Sequence, residues 1–94
     1  MAEQKILTLH PEGKQGVNID KSKYDMVREA ILGSLAETDS MKFMELINAV
    51  KKKLSGKFDG SVNWYATTVK LDLEARGEIN CRRGKGGQDI KLAN

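Results

Sequence analysis

The apolar residues of this chain recur at spacings of three and four through its middle and then, after Gly77, switch to a spacing of two. Amphipathic helices must therefore come first and a two-stranded ribbon last, both closing on one core. The helical part resolves into three segments. The first opens at Asp20 or Ser22, both good N-cap residues, with Asp25 suited to the positive end of the helix dipole. Tyr24, Val27, Ile31 and Leu35 then share one face, and Gly33 either weakens the helix or lets a neighbour approach closely. Thr38-Asp39-Ser40 breaks the pattern, and Met41-Lys42-Phe43 makes a very short extended piece. The second helix carries Phe43, Leu46, Ile47, Val50 and Leu54 and stops at Gly56. The third, capped by Asp59 or Ser61, runs to Arg76 and ends at Gly77. Val62, Tyr65, Ala66, Val69 and Leu73 lie within roughly 50° of one direction and face the core. Trp64, Thr67, Thr68, Leu71 and Ala75 face away, with Asn63 and Lys70 on the flank.

Two period-2 segments follow, Ile79-Asn80-Cys81-Arg82 and Asp89-Ile90-Lys91-Leu92, joined by Arg83-Gly84-Lys85-Gly86-Gly87-Gln88. Ile79, Cys81, Ile90 and Leu92 share a buried face while Arg82 and Lys91 point outward. The joining stretch reads as a flexible basic loop. Ahead of the helices, Ile6-Leu7-Thr8-Leu9 and Val17-Asn18-Ile19 alternate weakly around a turn-rich stretch from His10 to Gly16, which gives two short paired strands or an ordered loop. The expected organisation is an extended leader over residues 1–19 and one α+β domain over residues 20–94.

Composition removes whole classes of function. The 94 residues hold one cysteine and one histidine, so neither an internal disulfide nor a four-ligand zinc site of the usual kind can be built. No window approaches the roughly 18 apolar residues of a membrane span, and the first five residues lack a signal peptide's apolar stretch, so a cytoplasmic protein that avoids membranes is expected. No catalytic constellation emerges, no small-molecule substrate or cofactor is indicated, and the chain reads as a non-enzyme. His10 is a solvated turn residue beside Glu12. Cys81, although flanked by Arg82 and Arg83, alternates with Ile79 and so points into the core as an inert thiol. Gly84-Lys85-Gly86-Gly87 lacks the spacing of a phosphate loop.

Charge is unevenly placed. Residues 1–50 hold six basic against eight acidic side chains, a net −2, whereas residues 51–94 hold ten against five, a net +5. Lys51, Lys52 and Lys53 are as well explained by the negative end of a helix dipole as by a ligand. The cations at Lys57, Arg82, Arg83, Lys85 and Lys91 gather around the third helix and the ribbon, as a polyanion-binding surface requires.

This order, three helices with a short extended piece between the first two and a basic hairpin after the third, resembles the winged-helix superfamily from Tyr24 to Leu92. The run from Val69 to Ile79, with its leucines, Gly77 and Ile79, is similar to the way many winged-helix repressors enter the wing. Leu9 to Val17 together with Gly60-Ser61-Val62-Asn63-Trp64-Tyr65 resembles a family of small bacterial proteins of unknown function. The winged-helix resemblance implies a transcriptional regulator whose third helix enters the major groove of duplex DNA and whose wing follows the phosphates. It places Asn63, Trp64, Thr67, Thr68, Lys70 and Leu71 on the groove-facing surface, and Arg82, Arg83, Lys85 and Lys91 on the wing.

The third helix departs from that pattern, because its outward face has one amide, one ammonium and no arginine with which to read bases. Trp64 and Leu71, seven residues apart, form an apolar patch better suited to protein contact: a homodimer partner, another protein, or the leader folded over the helix. Duplex DNA and a protein partner therefore stand as the two expectations.

Overall fold

The structure is a computed structural model that describes residues 4–93. Its elements follow in the order β1 (Lys5–Leu7), β2 (Asn18–Asp20), α1 (Lys21–Ala36), β3 (Met41–Lys42), α2 (Phe43–Leu54), α3 (Val62–Ala75), β4 (Ile79–Gly84) and β5 (Gly87–Leu92). Three helices and two small antiparallel sheets make a mixed α+β fold. The core is the predicted set of faces: Val27, Ile31 and Leu35 of α1, Leu46 and Val50 of α2, Val69 and Leu73 of α3, sealed at one end by Ile79 and Ile90. Each such side chain contributes roughly 1.5–3 kcal/mol through its removal from water.

The helix ends use the chemistry the residues offer, with one substitution of role. Asp20 precedes α1 but accepts no capping hydrogen bond; its carboxylate lies 3.5 Å from the Lys5 ammonium of β1 instead. Glu45 accepts the backbone N–H of Lys42 at 2.9 Å and so closes the start of α2. Ser61, rather than Asp59, caps α3, accepting the Trp64 N–H at 3.2 Å. At the far end Gly77 has φ +79°, and the N–H of Glu78 reaches the Leu73 carbonyl at 2.9 Å. This is the left-handed termination that glycine permits at least cost.

β3 pairs with β5 rather than β4, giving the sheet order β3-β5-β4, with Met41 opposite Ile90 and Lys42 opposite Asp89. β4 and β5 stay paired as far as Arg83 opposite Gln88 and Gly84 opposite Gly87. The expected six-residue flexible loop is therefore a two-residue turn at Lys85 and Gly86. Hydrogen bonding continues through polar residues, which carry no apolar alternation to announce a strand.

The leader forms the ribbon β1-β2, with Ile6 opposite Ile19. Ile19 belongs to the core and Ile6 packs against it. Beyond β1 the backbone of Thr8 donates to the Val17 carbonyl at 2.9 Å, and the buried Thr8 hydroxyl accepts the Val17 N–H at 3.0 Å. A Cβ on Gly16 would lie 1.7 Å from the Thr8 carbonyl oxygen, so this closure admits glycine alone.

Candidate nucleic-acid interface

The outward face of α3 begins as expected, with Asn63, Trp64 and Thr67 exposed and Thr68 half-buried. Trp64 is 47% exposed and stands edge-on to Tyr65 with ring centroids 4.9 Å apart; Tyr65 in turn meets the Phe58 ring at 5.0 Å. Lys57 is exposed in the loop before α3.

Lys70 does not lie on that surface. It is 3% exposed, its ammonium 3.2 Å from Glu74 and 6.0 Å from the centre of the Phe43 ring. A helix flank two-thirds of the way along α3 faces the start of α2 and the base of β4, and the long apolar stem of a lysine fills that space while its head finds the carboxylate one turn on. The i,i+4 pair Lys70/Glu74 was the sequence signal for it.

The residue that sequence reasoning missed is Asp72, which is fully buried. Its carboxylate accepts the Leu9 backbone N–H at 2.8 Å, the Tyr24 hydroxyl, and the Arg76 Nε at 3.0 and 2.9 Å. One side chain thus joins the leader, α1 and the end of α3. Burial and the adjacent carboxylate push the Tyr24 phenol well above its ordinary range, and the hydrogen bond to Asp72 raises Arg76 as well. Only its i,i+4 pairing with Arg76 was legible in the sequence, because its other partners are forty-eight and sixty-three residues away.

This anchor lays the leader turn beside α3. His10, Pro11, Glu12 and Lys14 line a shallow concavity with Leu71 and Glu74 of α3 and with Cys81 and Arg83 of β4. Leu71 is accordingly half-buried, whereas Trp64 is exposed. The Lys14 ammonium sits 3.2 Å from Glu12 and holds that carboxyl below its usual range, with a weaker pull from Arg83. Cys81 is half-buried there, and burial lifts its thiol to about 11.

The ribbon's cations divide between two faces. Arg83 lies on the side of α3 and the leader. Arg82 and Lys91, with Asn80 and Asp89, occupy the opposite face of the sheet, and Lys85 sits at the turn. Among the described residues, eight ion pairs engage Lys5, Lys14, Lys21, Arg28, Lys42, Lys53, Lys70 and Arg76. Among the described residues Lys57, Arg82, Arg83, Lys85 and Lys91 take part in none.

Compared with known proteins, residues 5–89 match the model of a family of unknown function (DUF6958). The chain belongs to that family. The match runs from β1 into β5, so the leader ribbon and the sheet both lie within what defines DUF6958. No curated protein and no solved structure matches the chain. Among the described residues of this DUF6958 chain, no helix is long and apolar enough to cross a membrane.

Proposed function

We propose that this DUF6958 chain is a winged-helix protein that binds duplex DNA, with α3 in the major groove and the β4-β5 ribbon as its wing. The pairing of β3, the strand between the first two helices, into the ribbon's sheet supports that assignment of fold. One observation carries the function. Among the described residues, Arg83 and Lys85 beyond the end of α3, and Lys57 before it, take part in no ion pair, while of the two acids of α3 Asp72 is buried and Glu74 is paired with Lys70.

Cations without internal partners give up the least on meeting phosphates, and each phosphate neutralised releases condensed counterions. Asn63, Thr67 and Thr68 offer a carboxamide and hydroxyls to base edges or backbone. The leader turn also brings Lys14 to the concavity that Arg83 lines, where its ammonium is held by Glu12. Three phosphate contacts from Lys57, Arg83 and Lys85 give an affinity that falls with salt at a log–log slope of about −3.

Anisotropy of a labelled duplex across about 50 to 200 mM salt measures that slope. Arg83→Gln is expected to reduce its magnitude by about one. Absence of binding at low salt, or a flat dependence, overturns the reading.

A second reading rests on Trp64, whose exposed ring tops the series Phe58, Tyr65, Trp64. An aromatic of this kind is a typical anchor between proteins. If the chain is a homodimer through this residue, Trp64→Ala yields monomer in sedimentation velocity while the helical signal persists.

A further inference from the structure

The outer face of the three-stranded sheet carries side chains that the α3 surface does not use. Alternation along β4 and β5 turns Ile79 and Ile90 into the core and Asn80, Arg82, Asp89 and Lys91 the other way. Asn80 stands opposite Lys91, and Arg82 opposite Asp89. Arg82 and Lys91 are therefore diagonal neighbours, at a backbone separation of about 7–8 Å that two long side chains easily span. Ser40, immediately before β3, and Cys81 of β4 join these four residues in lining one concavity.

The acid in this group is already answered. Lys42 of β3 holds the Asp89 carboxylate at 2.7 Å from the far side, so its charge is met within the sheet. Arg82 and Lys91 are left, among the described residues, with no ion pair. Four groups of the concavity are a guanidinium, an ammonium, a carboxamide and a hydroxyl, and the Lys42-paired Asp89 carboxylate and Cys81 complete its lining. All four can donate hydrogen bonds, and two carry full charge. A planar guanidinium grips two oxygens of a tetrahedral anion at once, and an ammonium supplies a point charge beside it. Two cations suit a group bearing close to two negative charges at neutral pH, as a phosphate monoester does.

We propose that the outer face of the sheet is a phosphate-monoester site built from Arg82, Lys91, Asn80 and Ser40, separate from the α3 surface. Its ligand is either free phosphate or the terminal phosphate of a small metabolite, which present the same oxygens. The site does not depend on DNA binding, because Arg83 and α3 lie on the other side of the sheet. It assigns Arg82 and Lys91, two of the wing's cations, to a different ligand from Arg83.

The test is titration of the isotopically labelled full chain, followed by amide NMR, with inorganic phosphate at constant ionic strength and then with glycerol phosphate as a monoester. Both are expected to shift the amides of Ser40, Asn80, Arg82 and Lys91 to saturation while those of Arg83 and α3 stay in place. Arg82→Gln and Lys91→Gln, both exposed and checked for folding in the same spectra, should each weaken binding by about tenfold. Saturation by the monoester at lower concentration than by free phosphate assigns the metabolite as the natural source; equal behaviour assigns the free ion. A response that never saturates, one spread equally over Lys51, Lys52, Lys57 and Lys85, or one unchanged in the two variants overturns the site. So does a duplex titration in which Arg82 and Lys91 respond as strongly as Arg83, since the outer face would then belong to the duplex surface.

Discussion

At the scale of single residues, Asp72 organises more of the molecule than any apolar side chain does. Three polar groups from three segments converge on one buried carboxylate. Asp72→Ala strands the Tyr24 hydroxyl and the Leu9 N–H and removes the partner of Arg76, and we expect a loss of about 3 kcal/mol in urea unfolding. Tyr24→Phe deletes one donor and keeps the ring, so its cost should be about 1 kcal/mol. Cys81 shows the opposite relation between sequence and structure. Its inward alternation was readable, and burial raises its thiol to about 11. Alkylation of the native protein at pH 8 is accordingly expected to be far slower than that of the urea-unfolded chain. Equal rates would show that the thiol is open. The burial of Lys70 and Asp72 was only partly readable, and for a common reason: each has one partner a helical turn away, Glu74 and Arg76, while the contacts that bury it are set by the fold.

At the scale of elements, the apolar period located all three helices, because each buries one stripe whose spacing is fixed by helix geometry. The strands were less legible. β3 is two residues long, and the outer part of the ribbon pairs through Arg83, Gly84, Gly87 and Gln88, none of which alternates in hydropathy. Gly33 separates two explanations that the sequence left together. A Cβ at that position meets nothing within 4 Å, so the glycine admits no close neighbour and only weakens α1. Gly33→Ala should therefore stabilise the protein by up to about 1 kcal/mol, read as a raised thermal midpoint with unchanged binding. A loss of stability would place a neighbour closer to α1 than the fold does.

At the scale of the whole molecule, two groups shift in the same direction and make stability fall in alkali. Cys81 and Tyr24 both hold their protons more tightly when folded, Cys81 to about 11 and Tyr24 higher still. Their contribution is complete below the unfolded values, near 8.5 for a thiol and 10 for a phenol, and is lost as pH rises through the folded ones. Urea midpoints should decline from about pH 9 upward, and Cys81→Ala should remove the earlier part of the decline. The charge asymmetry between the two halves of the chain was visible from the residues alone, as was the α+β order of elements, because counting and periodicity need no third dimension. Which cations take part in ion pairs was decided only by folding: among the described residues eight found carboxylates, and the ribbon's remainder divided between two faces of one sheet. The sequence by itself determined the helices, the ribbon and the location of positive charge, since these depend on neighbours a few residues away. The tertiary structure alone decided the burial of Asp72, the docking of the leader beside Leu71 and the separation of Arg82 from Arg83, since each depends on contacts that only chain closure brings together.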